Sequence, residues 1–200
     1  MMPRYGTLIR STDAVLIDRI LASGLDWLML DGEHASIGVA ELAAMLAAAG
    51  NRVPCYARVR ALDGALVSQV LDAGAAGVII PNVDTIAQAE ESVRCVRASR
   101  WPDAKVVVQA ESAEAVRNIK DIVQTPGIEW ILIGPYDLTR SLGIAEQFEH
   151  TAYHEAVGVI EAACCSAGLP VGIFGMTPER VRPYEARGFS WLVTGIDRPA

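Results

Sequence analysis

Lysine is nearly missing: Lys105 and Lys120 are the only two in 200 residues. Lys105 opens an apolar run and Lys120 falls inside a helical pattern, so neither offers the buried amine that imine chemistry requires. Histidine is scarce too, with three. The four cysteines, at 55, 95, 164 and 165, contain no CxxC spacing. Cys164 and Cys165 lie in an alanine-rich helical stretch and read as small core residues, which argues against a disulfide framework or a thiolate metal site. No apolar run reaches the roughly 18 residues that a bilayer demands. The opening MMPRYGTLIRSTD has no apolar segment after its basic residue, unlike a secretory leader. A soluble, cytoplasmic protein is therefore expected, with no membrane partner. Basic charge is also short: 17 Lys and Arg face 24 Asp and Glu, a formal charge of −7. Without a clustered basic face, no nucleic-acid partner is expected.

What is abundant is apolar residue, 52% of the chain, enough for one sizeable core in a single domain over 1–200. Short β-rich runs alternate with helical ones from end to end. The strand candidates are YGTLIR, DWLMLD, CYARVR, GVIIP, KVVVQAE, EWILIG, PVGIF and SWLVTGI. Between them lie DAVLIDRILASG, GVAELAAMLAAAG, DGALVSQVLDAG, IAQAEESVRCVRAS, SAEAVRNIKDIVQ, HTAYHEAVGVIEAACCSAG and TPERVRPYEARG, several ending in a glycine suited to a left-handed helix stop. The strands are apolar on both faces, as in a parallel sheet covered by helices. Eight strands in β–α alternation predict an α/β fold, the (β/α)₈ TIM barrel, in compact form. The chain ends soon after strand eight, so the edge of strands one and eight is expected to be uncovered and open to another subunit.

Reactive groups in such a barrel gather at the carboxyl ends of the strands. Strand two ends in Asp31-Gly32-Glu33-His34, strand three carries Arg58 and Arg60, strand five ends in Gln109-Ala110-Glu111, and strand six in Gly134-Pro135-Tyr136-Asp137. Glu111 and Asp137, at neighbouring tips, repel unless a proton or cation lies between them. Hard oxygens in low number suit Mg²⁺ or Mn²⁺. Read singly, Glu111 serves equally well as a cap for the helix that follows, and Asp137 as the opening of a turn. Asp31 stands where it can orient the His34 ring for acid–base work. Arg58 can complement an anionic substrate or a developing enolate, or else pair with an acid such as Asp31. His150 and His154, at helical spacing, read as an exposed or subunit-facing helix surface.

The sequence resembles the HpcH/HpaI aldolase family over nearly its whole length. GLDWLMLDGEHASIG is similar to the family's strand-two signature, VVVQAESAEAVRNI to its first metal-ligand segment and WILIGPYDLTRSLG to its second. VSQVLDAGAAGVIIPNV resembles the fourth-strand region. The resemblance implies a metal-dependent, pyruvate-specific class II aldolase that cleaves or forms 4-hydroxy-2-oxo acids through a pyruvate enolate. It implies Glu111 and Asp137 as ligands of Mg²⁺ or Mn²⁺, with Co²⁺ also accepted, and His34 as the acid–base residue supported by Asp31. Asp72 occupies the place of an acid supplied by a neighbouring subunit, which implies a homo-oligomer. The resemblance further implies that Arg58 binds the keto or enolate oxygen, that Gln109 and the backbone from Pro135 through Tyr136 to Asp137 hold the 2-oxo acid, and that Phe174 tunes the room for the aldehyde. The chain lacks most of the family's insert between strands four and five, and the terminal eighth helix. Two other readings stay open: a citrate-forming or related enolate condensation, and a barrel that binds a small acid or serves assembly without turnover.

Overall fold

The computed structural model describes residues 2–34 and 37–198. Eight parallel strands close into a barrel in chain order: β1 (Arg4–Ile9), β2 (Trp27–Asp31), β3 (Cys55–Arg58), β4 (Gly77–Ile80), β5 (Lys105–Ala110), β6 (Ile128–Ile133), β7 (Val171–Gly175) and β8 (Trp191–Ile196). The helices are α1 (Ala14–Leu21), α2 (Val39–Ala49), α3 (Gly64–Asp72), α4 (Ile86–Arg97), α5 (Ala113–Ile122), α6 (Pro135–Ser141), α7 (Thr151–Ala167) and α8 (Pro178–Glu185). The predicted strands and seven predicted helices fall within a few residues of these bounds. One helix was not predicted: α6, where the sequence reading placed only a turn. Gly134 precedes it and Pro135 takes its first position, where a missing N–H costs nothing. Among the described residues no helix follows β8.

Strand alternation sorts each run into an outer face under the helices and an inner face that fills the barrel. The inner face changes character from bottom to top. Trp27, Tyr56, Trp130 and Trp191 pack together at the lower end, with Trp130 and Trp191 stacked at 4.7 Å and Trp27 edge-on to both. Gly6 faces this cluster because a Cβ there would lie 2.6 Å from the Trp27 ring. One step up come Leu8, Met29, Ile79, Val107, Leu132 and Val193. Two residues beyond Leu8, Met29, Val107 and Leu132 stand Arg10, Asp31, Gln109 and Gly134, and two beyond Tyr56 and Gly172 stand Arg58 and Phe174. The barrel is thus a packed aromatic and aliphatic column that turns polar only at its carboxyl end.

The expectation of a bare edge at strands one and eight is corrected. Thr7 and Leu192, on the outer face, are fully buried. Thr7 Oγ1 donates to the Thr194 carbonyl at 2.7 Å, and Tyr5 donates its hydroxyl to Glu185 at the end of α8. Helix α8 therefore leans over β8 as well as β7 and covers what a following helix would cover. The short link from α4 to β5, residues 98–104, passes the amino end of the barrel, opposite the polar layer, because helices run counter to strands. Among the described residues no helix is long and apolar enough to cross a membrane.

Candidate active site

Asp31 ends β2 directly beside Arg58 of β3 in the strand register. Its buried carboxylate accepts from Arg58 Nε at 3.0 Å and from Arg10 Nε at 2.8 Å. The backbone N–H groups of Glu33 and His34 donate to Oδ1 as well, at 3.1 and 3.3 Å. Burial alone would push this carboxyl up, but Arg58, Arg10 and the two amides outweigh it and hold it below the ordinary range. Asp31 thus shapes the loop that carries His34, holding its backbone. The sequence reading had it orient the ring, and that detail is corrected: the four donors already claim its oxygens.

The His34 ring instead meets Arg58 and Glu33. Its Nδ1 lies 3.0 Å from Arg58 Nη2 and 3.3 Å from Glu33 Oε2. Glu33 also pairs with Arg58 Nη1 at 2.9 Å. Burial raises the Glu33 carboxyl above its usual range, against the pull of Arg58 and His34. Potential ligand atoms of Asp31, Glu33 and His34 converge within 4.8 Å. Arg58 already fills that convergence, since its guanidinium contacts all three, and a cation added there would face a fixed positive charge.

A second group sits across the mouth. Glu111 follows β5 and is 3% exposed. The helix-cap reading of Glu111 does not hold, because Ser112 caps α5, accepting from the Ala115 N–H at 2.9 Å. Glu111 turns inward and accepts from the Asn82 backbone N–H at 2.9 Å, while Gln109 Nε2 donates to its other oxygen. Burial pushes the Glu111 carboxyl up to about 8, with the Glu33 and Asp137 charges adding to the shift. Asp137 lies in the first turn of α6, paired with Arg140 at 2.6 Å. A buried carboxyl that holds a proton near neutrality, with a second carboxylate close by, fits a divalent cation that would replace the proton. Gln109 Oε1 adds a buried acceptor with no donor among the described residues. Gly134 keeps the place open, since a Cβ there would run into Glu111 Oε2 and Gln109 Nε2.

Both groups border one cavity of about 310 Å³, whose lining includes Arg10, His34, Arg58, Gln109, Asp137 and Phe174. Its apolar floor is Leu8, Met29 and Leu132. Tyr136 and Phe174, 5.9 Å apart, form a wall. Behind it a second cavity of about 220 Å³ opens between α7 and α8. Of the residues named from sequence, Asp31, His34, Arg58, Gln109, Glu111, Pro135, Tyr136, Asp137 and Phe174 gather at this mouth. Asp72 does not: it ends α3 at the opposite end and accepts from Trp101 Nε1 at 2.9 Å. Arg60 is exposed and borders a separate groove with Gly38 and Asp63. Arg10, Asn82 and Arg140 were missed, and Glu33 was named at the tip of strand two without a role. Arg10 ends the YGTLIR run, so reading the tip of strand one as the other tips were read would have found it. His150 is the cap of α7, its Nδ1 accepting from the Ala152 N–H.

A family model described as HpcH/HpaI aldolase/citrate lyase matches residues 4–199. A 4-hydroxy-2-oxovalerate aldolase from Rhodococcus jostii RHA1 is 31% identical over 211 residues, covering 92% of this chain and 82% of that protein. A 2-keto-3-deoxy-L-rhamnonate aldolase from Escherichia coli K12 is 30% identical over 225 residues, covering 97% and 83%. Among solved structures, an HpcH/HpaI aldolase/citrate lyase family protein from Burkholderia cenocepacia J2315 superposes with a TM-score of 0.91 at 28% identity, covering 98% of this chain and 89% of that one.

Proposed function

The chain belongs to the HpcH/HpaI aldolase/citrate lyase family, whose members are metal-dependent carbon–carbon lyases, and we propose that it makes and breaks the C3–C4 bond of 4-hydroxy-2-oxo acids through a pyruvate enolate. The observation that carries this reading is one cavity lined by Asp137, His34 and Arg58, with the buried carboxyl of Glu111 directly behind its Gln109 and Gly134. Glu111 and Asp137 would hold Mg²⁺, Mn²⁺ or Co²⁺, which when bound supplies Lewis-acid polarisation of the 2-oxo acid. Gln109 and the amides of Tyr136 and Asp137, at the start of α6, would bind the acid's carboxylate.

His34 would serve as the acid–base group. Its Nδ1 is hydrogen-bonded to Arg58 Nη2 at 3.0 Å, and Glu33 Oε2 stands at ion-pair distance, 3.3 Å, outside hydrogen-bond geometry. With the Nδ1 proton turned to Glu33, Nε2 would offer a lone pair and take the proton of the 4-hydroxyl, directly or through water, as the C3–C4 bond breaks. With Nδ1 accepting from Arg58, Nε2 carries the proton that condensation must return. The electron pair released by bond cleavage passes to the pyruvate fragment, and the permanent charge of Arg58 stabilises the enolate oxygen. A buried guanidinium fixed by two carboxylates does this without reorganising. Asp72, far from this cavity in its own chain, would serve a neighbouring copy in a homo-oligomer.

The test is exchange of the pyruvate methyl protons in deuterated water, followed by NMR with Mg²⁺, Mn²⁺ or Co²⁺ and with chelator. Enolate formation needs no aldehyde, so the acceptor need not be known. Exchange that requires metal is expected. Folded protein that exchanges nothing with any of the three metals would remove the reading.

A further inference from the structure

Arg10 stands apart from the groups that the enolate chemistry uses. It extends one residue beyond β1, and Glu111 and Asp137 stand beyond β5 and β6. In a ring of eight strands β1 lies opposite β5. A 2-oxo acid held at Glu111 and Asp137 therefore has its far end directed across the mouth, past His34 and Arg58, toward the β1 side. There the wall is mostly apolar, with Leu8, Met176 and Ile196 bordering the cavity beside Arg10.

The guanidinium is anchored but not saturated. Nε donates to Asp31 Oδ2 at 2.8 Å, while Nη1 and Nη2 donate no hydrogen bond among the described residues. The backbone is pinned too, because the N–H groups of Arg10 and Ser11 donate to Asp197 Oδ1 at 2.8 and 3.0 Å. Asp31 takes only the Nε edge of Arg10, and the buried Arg58 also lies 2.8 Å from it. A positioned guanidinium with one edge held and another unused, at the rim of a partly apolar cavity, matches a planar two-oxygen anion.

We infer that Arg10 selects the acceptor end of the substrate, pairing its unused edge with a carboxylate on the aldehyde, so that the 4-hydroxy-2-oxo acids handled here are dicarboxylates. The inference rests on the proposed placement of the 2-oxo end at Glu111 and Asp137. It adds to that placement a residue on the far wall and a substrate class. Arg10 is a specificity residue and takes no proton in the reaction.

The experiment compares ligands that share a 2-oxo acid head and differ only at the tail. Binding of 2-oxoglutarate against 2-oxopentanoate, and of 2-oxoadipate against 2-oxohexanoate, is measured by calorimetry with Mg²⁺ present. The wild-type protein and the Arg10→Gln and Arg10→Lys variants are compared. The wild type is expected to prefer the dicarboxylate in at least one pair by about tenfold or more, the value of one well-placed charged hydrogen bond. Arg10→Gln brings the ratio to within about twofold of unity, and Arg10→Lys leaves a reduced preference. Because the ratio is taken within each variant, a general weakening through Asp31 cancels. No preference in either pair, or a preference that survives Arg10→Gln, overturns the inference. Pyruvate exchange by the wild type separates the two ideas. Exchange without tail selection removes only the Arg10 role, and tail selection without exchange keeps Arg10 and removes the aldolase reading.

Discussion

Glu111 carries the consequence of burial that bears most directly on cation binding. A carboxyl pushed up to about 8 is protonated at neutrality in metal-free protein, and a cation must displace that proton to bind. Mn²⁺ affinity is therefore expected to tighten by about tenfold per pH unit from pH 6 toward 8 and to level off above. Titrations at several pH values check this. Glu111→Gln should bind weakly with no such slope, and a flat profile in the wild type would remove Glu111 as a ligand. Stability runs the opposite way: with the folded value above the unfolded one, the Glu111 contribution is complete below the ordinary value of 4.5 and is lost progressively as pH rises from there through about 8. At this scale the sequence showed which residue types meet, because strand tips converge. It did not show who pairs with whom. Asp31 faces Arg58 through inter-strand register, and Glu33 reaches Arg58 only because the loop after β2 folds back over it.

Among the elements, α6 is the one the sequence concealed. Its seven residues are too few to display an apolar period, and only the Pro at its first position hinted at a helix. The seven other helices and all eight strands were legible because each buries a long enough apolar stripe. Helix α6 presents Asp137, and Gly134 sets how closely it approaches β5. Gly134→Ala places a methyl against Glu111 and Gln109. That overpacking should cost about 1–3 kcal/mol of stability and weaken Mn²⁺ binding by about tenfold or more, since the displaced group is the proposed ligand. Thermal unfolding and Mn²⁺ titration of the same variant check both. Unchanged affinity would show that Glu111 has room to move.

For the whole molecule, the interior column decides stability. Trp27 touches Tyr56, Trp130 and Trp191 through edge contacts. Trp27→Ala should therefore cost about 3–5 kcal/mol in urea unfolding, and a loss under about 1 kcal/mol would mean that the remaining rings collapse into the gap. The barrel was readable from alternation alone. Its covered closing edge was not, because coverage by α8 depends on how far a helix leans after β7. The same column has a bearing on traffic. A cylinder stoppered at one end by three indoles and a phenol is entered from its carboxyl end among the described residues. In the proposed condensation, a 2-oxo acid seated deepest against Leu132 and Gln109 would enter before the aldehyde that rests near Arg10 at the rim. Under that reading the plug, far from either reactant, would set the order of events.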